Sequence, residues 1–228
     1  MHEPILLNRR RWLLAASASL MALPACSETE DAMRARDGQP PLTPEQRRLR
    51  HKFKGLRGGQ LVVDAFGEKH AVTIFDEEGR VFYTRGTVSP RNRSIHSYGS
   101  EFGVPVTLRA TWRHEGETVD GVLQNPIRGT AEYGIYEGGT VVGDYTVPVA
   151  ERIPDELLAA MRKGVGGFRL KIRIHPEGLL IGWDLSRGFN LQYFAGGDFR
   201  EADIENGKVL RKGWYIHPKT GQKIETDF

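Results

Sequence analysis

The residues most able to carry chemistry in this chain are one cysteine and seven histidines. Six of the histidines follow Cys26, at positions 51, 70, 96, 114, 175 and 217. No two of them stand two or four residues apart, which is the spacing that places a pair of imidazoles on one metal ion. The sequence therefore predicts no metal site and assigns these histidines to surface or half-buried positions.

Motifs for nucleophilic or phosphate chemistry are also missing from the sequence. There is no Gly-x-Ser-x-Gly elbow, and the glycine-rich run 164–167 lacks the lysine and hydroxyl of a phosphate-binding loop. Asp76, Glu77 and Glu78 share one tight turn, where carboxylates are usually solvated. We predict no catalytic residue and no cofactor. A hydrolase built from residues on separate strands stays open, and a pocket lined by polar groups with strongly shifted pKa values would favour it.

Residues 1–25 have the pattern of an export signal. A basic triplet at 9–11 precedes an apolar run of 12 residues from Trp12 to Leu23. A membrane-spanning helix needs about 20 apolar residues, so the run fits a signal peptide and not a transmembrane helix. Residues 8–13 (Asn-Arg-Arg-Arg-Trp-Leu) also resemble a twin-arginine motif, so export after folding and export before folding both remain open.

The end of this signal points to a lipid anchor. Leu23-Pro24-Ala25-Cys26 resembles the lipobox of bacterial lipoproteins, in which a small residue precedes a cysteine that accepts lipid. No second cysteine exists to form a disulfide, and lipidation, by palmitate or a similar chain, explains a single thiol in an exported protein. Two or more acyl chains would hold the protein at the periplasmic side of the envelope. Ser27 stands where an aspartate would favour the inner membrane, so the outer membrane is favoured. The alternative is an ordinary secretory signal followed by a free cysteine.

The rest of the chain is predicted to be a tether and one domain. Residues 26–42 are polar and charged, so they cannot bury enough apolar surface to offset the entropy of ordering, whereas 43–228 has the length of a single domain. The whole chain has 32 basic and 29 acidic side chains. Without the three arginines and one glutamate of residues 1–26, the balance is 29 to 28. This near-neutral balance gives no support for nucleic-acid binding.

Two short helices are predicted in the domain. Thr43 precedes Pro44, the order expected at a helix start, and Gly55 would end this helix after about residue 53. The second helix begins after Pro154 and ends at Gly164, with acidic residues in its first turn and basic residues in its last.

Alternating apolar residues predict strands over most of the remaining domain. Hairpins are predicted around the turns at 76–79, 176–178 and 205–207, the last of which contains the favoured Asn-Gly pair. Residues 87–103 read as a long polar loop, and 104–112 read as a strand whose partner begins near Thr118. The predicted fold class is mainly β (α+β), an antiparallel sheet or β-sandwich with two short helices.

One predicted strand has a basic face. Arg169, Lys171, Arg173 and His175 alternate with four apolar residues, and Trp183 lies on the returning strand. Such a basic ladder beside an aromatic side chain could bind an acidic partner surface. The alternative is the ordinary solvent face of a half-buried sheet.

Three segments of the sequence resemble a known group of proteins. Residues 143–162 (GDYTVPVAERIPDELLAAMR), 170–185 (LKIRIHPEGLLIGWDL) and 196–228 are similar to the C-terminal half of small proteobacterial lipoproteins associated with type VI secretion effectors. The strand ending at Trp112 is similar more loosely. These motifs carry no catalytic residue that could be transferred to this chain.

The resemblance implies an immunity lipoprotein that binds and neutralises a cognate secreted effector, such as a lipase, in the periplasm. A lipid tether would raise its local concentration where the effector acts. The alternative from a different class is an envelope binding or assembly lipoprotein without a toxin partner, and gene neighbourhood distinguishes the two.

Overall fold

The computed structural model describes residues 32, 34–36, 38, 40–101, 103–125, 129–187, 191–205 and 208–226. Cys26, the predicted signal and most of the predicted tether lie outside these residues. The chain divides into two compact units, Met1–Arg47 and Arg48–Phe228. In the first unit, the Arg34 guanidinium donates to the carbonyl oxygen of Pro40 at 2.8 and 3.0 Å. The second unit contains the sheets.

Helix α1 spans Pro44–Lys52 and helix α2 spans Asp155–Arg162, with a short 3₁₀ turn at Ala150–Arg152. The strands are β1 Arg57–Ala65, β2 Lys69–Phe75, β3 Val81–Val88, β4 Ser94–Glu101, β5 Thr107–His114, β6 Glu117–Asn125, β7 Gly129–Glu137, β8 Thr140–Pro148, β9 Gly167–His175, β10 Gly178–Arg187, β11 Leu191–Gly197, β12 Phe199–Arg200, β13 Asp203–Glu205, β14 Lys208–Arg211, β15 Gly213–Ile216 and β16 Lys223–Thr226. The predicted β-rich α+β class is confirmed.

Both predicted helices have the ends that the sequence indicates. The Thr43 hydroxyl accepts from the Gln46 backbone N–H at 3.1 Å, and the Gln46 side chain accepts from the Thr43 N–H at 2.9 Å, a reciprocal capping box. Helix α2 closes with Gly164 at φ +77°, and the Val165 N–H donates to the Ala160 carbonyl. This is the Schellman arrangement, in which glycine takes the left-handed conformation without a Cβ penalty.

Two larger sheets build the domain. A five-stranded sheet has the order β11-β10-β9-β1-β4, and a four-stranded sheet has the order β3-β2-β5-β8. Strands β12, β15 and β16 form a third sheet, while β6–β7 and β13–β14 are two-stranded. The pairing is antiparallel except between β1 and β9, which run parallel. Parallel neighbours require a long crossover, so a strand's own sequence does not identify them.

One buried apolar cluster joins the two larger sheets and helix α2. Leu61 and Val63 of β1, Ile74 of β2 and Leu108 of β5 are fully buried in it. Helix α2 adds Leu157. The predicted face of β9, formed by the residues 168, 170, 172 and 174, also belongs to this cluster. The alternation of apolar and polar residues in the sequence therefore predicted the buried face of β9 correctly.

Two local predictions are wrong. Residues 87–103 are not one long loop, because Ser94–Glu101 forms β4 and pairs with β1. The strand β5 does not pair with the segment that begins near Thr118, since β5 lies between β2 and β8 and that segment pairs with β7. In both cases a tertiary partner far along the chain decides the pairing. No helix among the described residues is long and apolar enough to span a membrane.

Candidate functional site

The predicted basic ladder lies inside the protein rather than on its surface. Lys171 and Arg173 are 5% exposed and His175 is 8% exposed, while Arg169 is half-buried. The expectation that these side chains form a solvent-facing cationic surface is wrong. The reason is that acidic side chains of the same chain cover this face of β9.

The register of the neighbouring strands places acidic side chains beside the basic side chains of β9. Asp184 of β10 stands opposite Arg169, and its carboxylate accepts from the guanidinium at 2.6 and 2.9 Å. Lys171 Nζ lies 2.6 Å from the same carboxylate. On the other side of β9, Asp64 of β1 stands beside Arg173 in the parallel register and accepts two bonds of 2.6 Å from it. Cross-strand neighbours on one face thus form bidentate, charge-assisted pairs.

Glu201 completes this buried ion network. Its carboxylate contacts Lys171 at 2.8 Å, Arg93 at 2.7 Å and Arg173 at 3.7 Å. Burial alone raises the pKa of Glu201, but the charges of Lys171, Arg93 and Arg173 outweigh burial and lower that pKa to about 2. The carboxylate therefore stays charged at any pH at which the protein would work. We define the buried ion network as Asp64, Arg93, Arg169, Lys171, Arg173, Asp184 and Glu201.

The aromatic ring of Phe199 packs against the face of β9 that carries the buried ion network. The Arg173 guanidinium lies 4.5 Å from the centre of the Phe199 ring, a cation–π contact. Phe199 fits there because Gly182 has no side chain, and a Cβ on Gly182 would lie 3.0 Å from the ring. Trp183 is 8% exposed, and the Arg152 guanidinium lies 5.9 Å from its ring. Trp183 stands opposite Leu170 in the β9–β10 register and belongs to the buried apolar cluster, so it lies on the other face of the sheet and not beside the basic ladder.

A pair of histidines lies at the end of this face. The rings of His175 and His217 meet edge to face at 4.9 Å, and His217 Nε2 lies 3.1 Å from the Glu177 carboxylate. Phe66 and Tyr215 pack against His175 at 5.0 and 5.7 Å between ring centres. Burial lowers the pKa of His175, the charge of His217 adds to this effect, and Glu177 opposes it. His175 is buried, which differs from the predicted surface or half-buried position, whereas half-buried His217 agrees with it.

His175, Glu177 and His217 are also the group of potential metal ligands among the described residues, with one ligand atom each within 4.8 Å of the others. The hydrogen bonds argue against a metal. The Glu177 N–H donates to His175 Nδ1 at 3.1 Å, and the Lys219 and Thr220 N–H groups donate to His217 Nδ1 at 3.3 and 3.4 Å. A metal-bound imidazole normally donates a proton from its second nitrogen, whereas both of these Nδ1 atoms accept one. The residues do not fit a metal in this arrangement.

A shallow cleft of about 320 Å³ opens beside the histidines. Tyr145, Arg152, Glu177, Asp198 and His217 give it its polar lining. These groups already bind one another or the backbone: Arg152 forms a bidentate ion pair with Asp198, and the Tyr145 hydroxyl donates to the Pro176 carbonyl at 3.3 Å. The Glu201 carboxylate, with its large pKa shift, belongs to the buried ion network rather than to the cleft lining.

The most distinctive exposed feature is the edge strand β11. Trp183 pairs with Gly196 and Leu185 pairs with Tyr193, so β11 has one extra residue opposite Asp184. In this bulge Phe194 takes φ +53°, a left-handed conformation that is rare for a bulky residue, and its side chain is 52% exposed. Tyr193 beside it is 38% exposed. Two exposed aromatic residues thus follow one another in an edge strand.

The acidic turn after β2 also differs from its prediction. The side chains of Glu77 and Glu78 are 7% and 5% exposed, and both form ion pairs with Arg50. Asp76 accepts from Arg80 at 2.8 Å, and burial raises the pKa of Asp76 while Arg80 lowers it. The turn is a paired structural element rather than a solvated acidic loop.

One signal in the sequence could have revealed the histidine pair. The tripeptide Ile-His-Pro occurs twice, at 174–176 and at 216–218. His175 is the last residue of β9, and His217 directly follows the last residue of β15. In each copy Nδ1 of the histidine accepts a backbone N–H from two residues later. Spacing rules search for histidines near one another in the chain, so they miss a repeat whose copies meet only in the fold.

No protein-family model matches this chain, and neither curated proteins nor solved structures provide a match.

Proposed function

We propose that this protein is a lipid-anchored immunity protein of the periplasm, which binds and neutralises a cognate type VI secretion effector, with a lipase as one class of target. The anchor would be Cys26, and the working part would be a rigid binding surface. The segments 143–162, 170–185 and 196–228 support this role through their resemblance to effector-associated lipoproteins.

The observation that carries the proposal is the strained aromatic bulge of β11. A left-handed conformation at a non-glycine residue costs about 1–3 kcal/mol, and such strain concentrates at functional sites. Phe194 takes this conformation although it is 52% exposed, so about half of its surface gains no packing in the folded chain alone. Exposed aromatic side chains are the residues most enriched in protein interfaces.

The edge position of β11 adds a second reason. One side of β11 pairs with β10, and in the five-stranded sheet no described strand pairs with the other side. A partner can therefore contact the two aromatic rings and the unpaired strand edge together. The basic ladder is not part of this proposal, because its charges are neutralised within the buried ion network.

The first experiment takes a candidate effector from the neighbouring genes and expresses it in the periplasm, with and without this protein. Protection is expected when both are present. Continued killing at matched periplasmic levels would exclude the immunity role and leave an envelope binding protein without a toxin partner.

The second experiment tests the surface with Phe194→Gly. Glycine accepts φ +53° without strain, and this relief offsets part of the packing and chain entropy lost with the side chain, so the variant is expected to fold. Loss of an aromatic anchor is expected to weaken effector binding by about tenfold or more, measured by calorimetry. The matched control is Val142→Ala, which truncates a side chain that is 60% exposed on β8. Equal affinity of the wild type and Phe194→Gly would exclude the β11 edge as the binding surface.

A further inference from the structure

Two elements that are distant in the chain meet at the histidine pair. His175 ends β9 and leads into the β9–β10 turn, while His217 follows β15 in the turn that leads to β16. The contact between their rings, at 4.9 Å, and the His217–Glu177 contact join these two turns. The C-terminal hairpin β15–β16 therefore contacts the β9–β10 turn of the five-stranded sheet through two imidazole rings.

The hydrogen bond that His175 accepts indicates which tautomer of its imidazole ring the folded structure accommodates. Because the Glu177 N–H donates to Nδ1, that nitrogen must hold a lone pair, and the proton of the neutral ring is on Nε2. A second proton would have to go onto Nδ1, where it would face the Glu177 N–H. Protonation of His175 thus removes a hydrogen bond and creates a repulsive contact at the same position.

The surrounding charges also favour the neutral form of the His175 imidazole over the protonated form. The titratable and charged groups that act on His175 or pack against it are Glu177 on its own turn, His217 on the β15–β16 turn, Lys69 at the start of β2 and Tyr215 on β15. Three further groups contact neighbours of His175: Lys219 contacts Glu177, Arg173 lies over the Phe66 ring, and the Tyr145 hydroxyl donates to the Pro176 carbonyl. Glu177 is the acidic member and favours a charged imidazole. It already contacts His217 at 3.1 Å and Lys219 at 3.7 Å. A cation at His175 would add to the positive charge of Lys69.

We propose that the His175–His217 contact is an acid-sensitive latch, which holds the β15–β16 hairpin on the β9–β10 turn when His175 is neutral and releases it when His175 gains a proton. Release separates the two rings and exposes Phe66 and Tyr215, which pack together at 4.7 Å. Burial lowers the pKa of His175 in the folded protein below its ordinary value of 6.5. The stability that depends on the neutral ring is therefore complete above pH 6.5 and is lost as the pH falls through the folded-state pKa.

Hydrogen exchange on the full chain in detergent tests the latch. Protection factors, corrected for the intrinsic exchange rate, are compared at pH 7.5 and 5.5 for the hairpin Gly213–Thr226 and for β5. We expect protection of the hairpin to fall relative to β5, by at most about tenfold, because pH 5.5 lies one unit below the ordinary histidine pKa of 6.5. The buried Glu201 carboxylate does not interfere, because its pKa of about 2 lies below this range. Equal changes in the hairpin and in β5 would overturn the proposal.

The decisive variant is His175→Asn. The Asn carbonyl oxygen takes the place of Nδ1 as acceptor for the Glu177 N–H but cannot gain a proton in this range. This variant is expected to keep the protection seen at pH 7.5 and to lose the fall at pH 5.5. His114→Asn, the same change at an exposed histidine, is expected to behave as the wild type. A fall of wild-type size in His175→Asn would overturn the latch.

A second measurement does not require any variant to fold. Nitrogen-15 spectra of the wild-type imidazoles at pH 7.5 report which ring nitrogen holds the proton. We expect Nε2–H for His175, and Nδ1–H would overturn the proposal. Zinc added at pH 7.5 is expected to leave hairpin protection unchanged, and a zinc-induced rise would instead identify His175, Glu177 and His217 as metal ligands.

Discussion

At the scale of single residues, Asp184 is a charged side chain in a position without access to solvent. It is fully buried, and its carboxylate contacts both Arg169 and Lys171. An ion pair in such a place costs desolvation energy when it forms, but removing one partner costs more because the other charges stay buried. The charge balance of this face therefore depends on each acid being present.

Asp184→Ala is expected to lower the free energy of unfolding by about 3–5 kcal/mol, because Arg169 would lose this buried counter-ion and Lys171 would keep only Glu201. Urea denaturation measures the loss. Asp144→Ala is the matched control: Asp144 also forms a bidentate pair, with Arg109, but the two side chains are 39% and 53% exposed. Its loss should be below about 1 kcal/mol. Similar losses in the two variants would contradict the structural role given to the buried pair.

At the scale of elements, a close contact between Trp112 and Gly143 lies within the four-stranded sheet. Trp112 of β5 stands opposite Gly143 of β8, and its ring lies over the glycine and stacks on Tyr145 at 5.6 Å with an angle of 20°. A Cβ on Gly143 would lie 2.0 Å from a ring carbon. The missing side chain at this position is what lets the tryptophan ring cover the strand pair.

Gly143→Ala is therefore expected to destabilise the protein by about 1–3 kcal/mol through overpacking. Thermal or urea unfolding, together with the near-ultraviolet circular dichroism of Trp112, would detect the displaced ring. Gly103→Ala provides the control, since nothing lies within 4 Å of a Cβ there, and its effect should stay within about 0.5 kcal/mol. An unchanged stability in Gly143→Ala would show that the indole ring can move aside without cost.

At the scale of the whole molecule, the proposed function requires that the folded domain be held at a membrane. The sequence assigns this task to Cys26, which lies outside the described residues. An acylated cysteine supplies attachment by burying hydrocarbon, at about 0.8 kcal/mol per methylene group. Attachment and effector binding would then belong to separate parts of the chain.

Cys26→Ser is expected to abolish acylation and to shift the protein from the membrane fraction to the soluble periplasmic fraction. Fractionation and mass spectrometry of the mature N-terminus measure both effects. Ser27→Asp is the control, because it should keep the acyl chains and move the protein toward the inner membrane. Complete membrane retention of Cys26→Ser would rule out the lipid as the anchor.

The amino-acid sequence by itself determined the local elements: the two helices with their caps, the hairpins and the apolar face of β9. These features depend on neighbours within a few residues, and for that reason composition and periodicity predict them. Only the tertiary structure decided what lies on the other face of β9. The parallel pairing with β1 delivers Asp64, the register with β10 delivers Asp184, and Glu201 arrives from beyond β12. The contact between the two Ile-His-Pro copies and the extra residue in β11 likewise depend on strand pairing between distant segments, which no local pattern encodes.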